Sequence, residues 1–179
     1  MANISEFGAI DTHEPLEIER KWIVDRATAC TLEREEENYE SGSVIQIYMT
    51  PLESDTEIRY KKTLIHDDLG GVVRYQHTTK KGHGLTRTEV EDDITKEVFY
   101  DKTNNPDEVD SAIKYDFINF ENGLELAYVP ALEIFIIEKE FDSEEAANAY
   151  IPTFEGKEIT GQINNHKIAV LISAMPGRN

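Results

Sequence analysis

The chain has 179 residues, of which 39% are hydrophobic, and this composition suits a globular protein with a core of its own. Its formal net charge is −18, from 36 acidic and 18 basic residues, so we expect no nucleic-acid partner and no anionic membrane surface as a partner. No apolar run approaches the roughly 20 residues that a membrane helix needs. The single cysteine, Cys30, excludes an internal disulfide and is typical of a reducing compartment, so a cytoplasmic protein is expected.

A flexible leader is predicted at residues 1–14, which lack the basic start and the apolar stretch of a signal peptide. From residue 15 onward, no repeat, low-complexity tract or linker divides the chain. We therefore expect one domain over residues 15–179.

The first predicted strand, at about residues 16–24, carries charges at alternate positions. Because side chains along a strand alternate with period two, Glu17, Glu19 and Lys21 fall on one face, and a mostly apolar set falls on the other. Such a charged face is either the solvated side of an antiparallel sheet or a wall of a polar site.

The remaining predicted elements follow in chain order. An acidic helix is expected at residues 25–40, and a second short helix at residues 95–102. Ser143 is expected to cap a third helix, and an amphipathic helix is expected at residues 164–175. Seven further strands are predicted at residues 43–50, 56–63, 72–80, 85–94, 112–120, 124–129 and 133–141. Eight short strands joined mostly by tight turns predict an antiparallel meander closed into a barrel, or nearly so.

Most of the predicted strands repeat the division into a charged and an apolar face. In a chain with twice as many acids as bases, a solvated face should be mainly acidic. Instead, many bases fall on the charged faces beside clustered acids: Lys21, Arg59, Lys61, Arg74, Lys80, Arg87 and Lys114. This favours a barrel with a charged interior. Paired acids suit a hard divalent cation, and Arg and Lys suit phosphate oxygens, so the pattern indicates a metal–polyphosphate site.

Taken in order, the motifs resemble those of the CYTH domain, or triphosphate tunnel metalloenzyme, family. "EIERKWIV" resembles the family's E-x-E-x-K, "IQIYMT" its Q-G-Y, and "EIRYKK" its R-x-R. "TTKKGHGLTRTEVE" resembles T-x-K, a short Gly loop and R-x-E-x-E. "IKYDF" takes the K-x-R position, "LELAYV" the E-x-D position, and "IIEKEFDSEEAA" matches E-x-E-F with its following helix. The resemblance spans about residues 15–175.

The resemblance implies an α+β, mainly β fold: an eight-stranded antiparallel closed barrel with a charged interior, covered by a few helices. It implies metal-dependent hydrolysis of a triphosphate with Mg²⁺ or Mn²⁺, with inorganic triphosphate as the expected substrate, by a monomer or homodimer. The alternatives are a nucleoside or thiamine triphosphatase, an adenylate cyclase of the class IV type, and a non-catalytic triphosphate or nucleotide binder. The net charge of −18 disfavours an RNA 5′-triphosphatase.

The resemblance also assigns roles to individual residues. The implied metal ligands are Glu17, Glu19, Glu138 and Glu140, supported by Glu89 or Glu91. The implied phosphate-binding residues are Arg59, Lys61, Lys80, Arg87 and Lys114. Lys21 and Tyr48 match a Lys–Tyr pair that has a catalytic role in small family members, where it would help to orient or deprotonate the attacking water.

Four positions depart from the family pattern. Ile47 replaces the Gly of Q-G-Y, and Lys61 replaces the second Arg of R-x-R, which keeps the charge but loses the bidentate fork. Asp116 stands where the Arg of K-x-R is expected, and Ala127 where the Asp of E-x-D is expected. Strand alternation places Asp116 on the same face as Lys114, so both are predicted to point into the tunnel.

Overall fold

The computed structural model describes residues 16–67, 70–82 and 86–176. The predicted leader at residues 1–14 lies outside these ranges. The strands are β1 Leu16–Val24, β2 Asn38–Tyr48, β3 Thr56–Ile65, β4 Val72–Lys81, β5 Thr86–Asp93, β6 Ser111–Phe120, β7 Leu124–Val129, β8 Ile134–Glu140 and β9 Lys157–Glu158. The α-helices are α1 Arg26–Glu35, α2 Lys96–Thr103, α3 Glu144–Ala149 and α4 Asn165–Ser173. None of these helices is long and apolar enough to cross a membrane.

Strands β1 to β8 form a closed antiparallel barrel. The hydrogen-bonded order is β5-β4-β3-β2-β6-β7-β8-β1, and β1 closes the ring by pairing with β5. The first part of β1 pairs with β5, so that Glu17 lies opposite Arg87, while residues 19–24 pair with β8. The two-residue β9 adds a short pairing to β1. The predicted eight-stranded closed barrel is therefore confirmed.

The predicted helices are present, but the first is shorter than expected. Asp25 caps α1 by accepting a hydrogen bond from the Thr28 amide, and the helix ends at Glu35. Residues 38–40 instead begin β2, where they pair with the end of β6. The helix prediction for residues 36–40 was wrong because it weighed local helix propensity without these cross-strand bonds. The Ser143 cap is confirmed, since the Ser143 hydroxyl accepts a hydrogen bond from the Ala146 amide.

Helix α1 covers the outer face of the barrel along β1, β7 and β8. Ala29 and Leu32 of this helix belong to one buried apolar cluster with outward-facing strand residues, including Trp22, Val24 and Ile137. Tyr150 and Phe154 pack against the same cluster. Burial of such side chains contributes about 1.5–3 kcal/mol each, which explains why the apolar alternate positions of these strands face outward, under the helix.

The inner wall of the barrel is charged over one part and apolar over another. Residues that pair directly across strands share a face, and Val44 and Tyr115 form such a pair. Along β6, Ile113, Tyr115 and Phe117 are buried, and they cluster with residues of α4. The charged positions of β6 alternate with these and are exposed. Helix α4 therefore packs on the apolar part of the interior, and the charged part remains for the site.

Candidate active site

A cavity of about 170 Å³ lies inside the barrel and is lined by ionisable side chains. Eight of them are glutamates: Glu17, Glu19, Glu57, Glu89, Glu91, Glu125, Glu138 and Glu140. Five are bases: Lys21, Arg59, Lys61, Lys80 and Arg87. Gln46, Tyr48, Tyr115, Asn164, Asn165 and His166 complete the wall. Alternate positions of β1, β3, β4, β5 and β8 supply most of the charges, as period-two alternation requires.

Glu17 and its partners form one end of the ion-pair network. The Lys80 Nζ lies 2.6 Å from Glu17 Oε1 and 3.0 Å from Glu89 Oε2. Arg87 lies 3.1 Å from both Glu17 and Glu19. Burial alone would raise the pKa of Glu17, but the charges of Lys80 and Arg87 outweigh it and lower the pKa overall. Glu17 is therefore an anion held by two bases.

Arg59 lies in the middle of the wall and is only 8% exposed. Its guanidinium is 3.4 Å from Glu89 and 3.8 Å from Glu91, so both ion pairs are long. Lys61, two residues further along β3, makes a closer contact of 3.0 Å with Glu91. The buried Arg59 Nε–H has no hydrogen-bond partner among the residues that the structure describes. Arg59 therefore holds an unsatisfied donor beside the cavity that its side chain lines.

Lys21 is a buried ammonium held by carboxylates. Its Nζ lies 2.8 Å from Glu138 Oε1 and 3.8 Å from Glu19 Oε1. Burial lowers the pKa of Lys21, but the charges of Glu138 and Glu19 outweigh this effect and raise the pKa overall. Lys21 therefore keeps its proton at neutral pH.

Tyr48 is fully buried and is held by a short hydrogen-bond chain. Its hydroxyl donates to Gln46 Oε1 at 2.7 Å, and Gln46 Nε2 donates to the Tyr115 hydroxyl at 3.0 Å. Burial raises the pKa of Tyr48 strongly, and the nearby Arg59 charge offsets only part of that shift. The phenol of Tyr48 therefore stays protonated at neutral pH. Lys21 and Tyr48 thus both carry their protons at neutral pH, and their expected roles toward the attacking water stay predictions.

The surroundings of two glutamates, Glu140 and Glu125, disfavour their charged forms. Burial raises the pKa of Glu140, and repulsion from Glu17, Glu19 and Glu89 raises it further. Burial and the neighbouring Glu138, which lies directly opposite on β8, raise the pKa of Glu125 to about 8. Negative charge is thus crowded at this end of the cavity, where added positive charge would be favourable.

The carboxylates of the cavity have the chemistry that a divalent metal ion requires, but they are not already arranged as a metal-binding site. Within residues 16–67, 70–82 and 86–176, no three His, Cys, Asp or Glu side chains are arranged to hold a metal. Carboxylate oxygens are nevertheless the ligands that Mg²⁺ and Mn²⁺ prefer. The crowding around Glu140 provides the electrostatic reason for a cation to bind there. Metal binding would draw other carboxylates away from their lysine and arginine partners.

Twelve of the thirteen residues predicted for the site line this one cavity; they are Glu17, Glu19, Lys21, Tyr48, Arg59, Lys61, Lys80, Arg87, Glu89, Glu91, Glu138 and Glu140. Lys114 does not line it. Their predicted roles toward metal and phosphate stay predictions, while their convergence on one cavity is a structural finding.

The predicted orientation of β6 was wrong. Lys114 and Asp116 are exposed, while Ile113, Tyr115 and Phe117 are buried and face the interior. The physical reason is burial of three large apolar side chains against α4, which is more favourable than turning Lys114 inward. Neither Lys114 nor Asp116 lines the cavity, so the charge reversal at Asp116 lies outside it.

The sequence interpretation missed several residues of the wall. Glu57 and Glu125 lie on the charged faces of predicted strands, so alternation was a usable signal for both. His166 and Asn165 come from the first turn of α4, and no local pattern marked them as part of the site. A second cavity of about 230 Å³ adjoins the first and extends along residues 160–164. The residues that line both cavities are Glu19, Lys21, Glu57, Lys80, Arg87, Asn164 and His166.

The barrel is similar to several solved structures. The inorganic triphosphatase NE1496 matches with a TM-score of 0.51 and 23% identity, covering 90% of this chain and 97% of that chain. The PH1819 protein from Pyrococcus horikoshii OT3 matches with a TM-score of 0.63 and 15% identity, covering 89% and 99%. A conserved hypothetical protein from Pyrococcus furiosus matches with a TM-score of 0.53 and 19% identity, covering 74% and 83%.

No protein-family model and no curated protein matches this chain. At the identities of the solved structures, the likeness establishes a shared fold. The tunnel fold implied by the sequence motifs is therefore confirmed, and the chemistry must be argued from the side chains of the cavity.

Proposed function

We propose that this protein hydrolyses a triphosphate inside the barrel with the help of Mg²⁺ or Mn²⁺, and that its substrate is inorganic triphosphate. The observation that carries this proposal is the concentration of positive charge. Five of the chain's 18 lysines and arginines line one cavity of about 170 Å³, although acids outnumber bases two to one in the whole chain. Bases gathered in this way form a binding site for an anion with several charged groups.

Arg59 supports a phosphate ligand in particular. Its buried Nε–H lacks a hydrogen-bond partner among the described residues, and its two ion pairs are 3.4 and 3.8 Å long. A buried donor without a partner is unfavourable by about 1–3 kcal/mol. A phosphate oxygen would satisfy this donor, and the planar guanidinium is suited to bidentate contact with phosphate.

The overall charge of the cavity supports a role for a metal ion. Eight glutamates face five lysines and arginines, and with Glu125 protonated at neutral pH the remaining seven carboxylates still outnumber these bases by two. A triphosphate is itself an anion, so this wall repels it unless cations accompany it. The carboxylates crowded around Glu140 are the groups that would hold such a cation.

Binding then amounts to an exchange of ionic partners. Lys80, Arg87 and Lys61 are paired with carboxylates at 2.6–3.1 Å. When a cation is held by those carboxylates, the bases can turn to the phosphate oxygens while both charges remain compensated. Lys21 keeps its proton and acts as a fixed donor toward the substrate or the attacking water, while Tyr48, whose hydroxyl donates to Gln46, holds this part of the wall in place. The metal ion, when bound, offsets the charge that develops on the phosphate oxygens in the transition state.

A substrate panel tests the proposed function. The purified protein is assayed with Mg²⁺ and with Mn²⁺ on inorganic triphosphate, ATP and thiamine triphosphate, and phosphate, pyrophosphate and cyclic nucleotide are measured. We expect phosphate release, fastest from inorganic triphosphate and absent when the metal is chelated. Formation of cyclic AMP would instead identify a cyclase. Hydrolysis that persists in full under chelation would contradict the metal requirement.

A non-catalytic binder is the second candidate, and one observation favours it. Strand β6 supplies no base to the cavity, because Lys114 lies on the outer face, so the phosphate clamp is built from β1, β3, β4 and β5 alone. Calorimetric binding of triphosphate in the presence of metal, without release of phosphate over hours, would establish this function in place of hydrolysis.

A further inference from the structure

His166 occupies a position that the proposed reaction does not by itself explain. It lies in the first turn of α4, is only 2% exposed, and faces a carboxylate at each ring nitrogen. Its Nδ1 lies 3.6 Å from Glu57 Oε2, and its Nε2 lies 3.3 Å from Asp110 Oδ2. Glu57 belongs to β3, and Asp110 immediately precedes β6. One side chain of α4 is thus tied to two separate parts of the barrel.

The same turn of α4 contacts both residues that are expected to orient the reaction. The His166 ring stacks on the Tyr48 ring with the centroids 4.2 Å apart and the planes 1° apart. The neighbouring Asn165 Oδ1 lies 3.5 Å from Lys21 Nζ. Stacking of this kind holds an aromatic ring in one orientation. The position of this turn therefore determines the surroundings of both Lys21 and Tyr48.

We propose that His166 is a positioning residue for triphosphate hydrolysis, which anchors the first turn of α4 to Glu57 and Asp110 and thereby fixes the Tyr48 ring and places Asn165 against Lys21. This inference rests on the proposed function. His166 itself acts through Tyr48 and Asn165, not on the phosphate, because its two ring nitrogens are already directed at carboxylates.

The charge state of His166 gives the anchor a dependence on pH. Burial lowers the pKa of the imidazole, but Glu57 and Asp110 outweigh burial and raise it above the usual value. Tyr48 on β2 is the other titratable group against the ring, and it stays protonated. The interior face of β6 adds no charged side chain. As pH rises through the raised pKa, His166 loses a proton and with it the positive charge that attracts Glu57 and Asp110.

The test compares His166→Gln and Asp110→Asn with His77→Gln. His77 is a matched control, because it packs beside Tyr60 on the outer face of the barrel, with ring centroids 5.1 Å apart. We expect His166→Gln to lower kcat for inorganic triphosphate about 10- to 100-fold while KM changes less than about twofold, since misplaced groups mainly impair the transition state. His77→Gln should leave both constants unchanged.

A second readout is independent of hydrolysis and serves also if His166→Gln fails to fold. The pKa of His166 is measured by NMR in the wild type and in Asp110→Asn. We expect a value above 6.5 in the wild type, and a lower value in the variant because one carboxylate is lost. In Asp110→Asn, the decrease of kcat at alkaline pH should likewise begin at a lower pH than in the wild type.

The outcomes separate this inference from the proposed function. Absence of triphosphate hydrolysis by the wild type would overturn both. Normal hydrolysis by the wild type, with kcat and its decrease at alkaline pH unchanged in His166→Gln and Asp110→Asn, would overturn the positioning role alone. A fall in thermal stability without any change in kcat would likewise show that His166 only holds the fold together.

Discussion

The Lys80 ammonium on β4 lies 2.6 Å from the Glu17 carboxylate on β1, across the intervening strand β5. Arg87 on β5 reaches the same carboxylate at 3.1 Å. One glutamate thus holds two of the five bases that line the cavity. Because the same carboxylate is a predicted metal ligand, we expect Glu17 to couple metal binding to phosphate binding.

Removal of the Glu17 charge should therefore loosen this coupling. In Glu17→Gln, Lys80 and Arg87 lose a competing anion, so we expect triphosphate to bind about tenfold more tightly in the absence of metal, which corresponds to about 1.4 kcal/mol. Metal should improve that binding less than it does in the wild type. Isothermal titration calorimetry in chelator and in Mg²⁺ measures both effects. Weaker metal-free binding in the variant would contradict the exchange of partners.

Arg59 should contribute to phosphate affinity directly. We expect Arg59→Ala to weaken triphosphate binding by about 1.5–3 kcal/mol, the range for a hydrogen bond to a charged group. Arg34→Ala is the matched control, because Arg34 is an exposed arginine on α1 with a surface partner, Glu35. If Arg59→Ala keeps the wild-type affinity while its melting temperature falls, Arg59 has only a structural role.

The orientation of β6 can be tested with a pair of lysines. Lys61 lines the cavity, whereas Lys114 lies on the outer face. We expect Lys61→Gln to weaken triphosphate binding about tenfold, and Lys114→Gln and Asp116→Asn to change it less than about twofold. A loss of affinity in Lys114→Gln as large as that in Lys61→Gln would place Lys114 in the site and contradict this orientation.

Glu140 should affect stability and metal binding in opposite directions. Repulsion from Glu17, Glu19 and Glu89 contributes to its raised pKa, so Glu140→Gln relieves crowding in the metal-free protein. We expect the melting temperature without metal to rise by about 1–3 °C, and the extra stabilisation by Mg²⁺ or Mn²⁺ to shrink. Scanning calorimetry with and without metal measures both quantities. Undiminished stabilisation by metal would remove Glu140 from the ligand set.

Replacing both Glu138 and Glu140 with Gln should abolish metal-dependent hydrolysis. Glu138 also pairs with the buried Lys21 at 2.8 Å, so this double variant should be less stable than Glu140→Gln. Circular dichroism must therefore show a folded protein before the activity is compared. Wild-type turnover by the folded double variant would rule out the proposed metal ligands.

Glu125 should make stability fall with increasing pH. Its pKa is raised to about 8 in the folded protein from an ordinary value of 4.5. A carboxyl with a raised pKa contributes stability that is fully present below its unfolded pKa and is lost as pH rises through the folded pKa, here between about 4.5 and 8.

In Glu125→Gln, this loss of stability should be smaller. The stability difference between Glu125→Gln and the wild type should be about 1–2 kcal/mol more in favour of the variant at pH 9 than at pH 5. The figure is modest because the Glu125 side chain is partly exposed, so solvent screens part of the interaction. Urea unfolding at a series of pH values measures the difference. Glu33→Gln on the exposed face of α1 is the control and should follow the wild-type curve.

The sequence by itself determined the barrel and most of its site. Alternation of side chains is a local property of a strand, so Glu17, Glu19 and Lys21 could be placed on one face without any knowledge of neighbouring strands. The same rule placed Arg59 and Lys80 each on the charged face of its own strand, and the structure brings all five residues to one cavity. Most element boundaries also follow local signals, such as the Ser143 cap of α3.

Tertiary structure alone decided which face of β6 points into the barrel and where α4 packs. Lys114 and Tyr115 are neighbours, and alternation requires only that they point in opposite directions. The choice between them depends on α4, more than 40 residues away, whose apolar residues Ile168 and Ala169 cluster with the inward-facing side chains of β6. The stack of His166 on Tyr48 arises in the same way. Burial of apolar surface between distant segments determined both features, and a local pattern contains no information about such contacts.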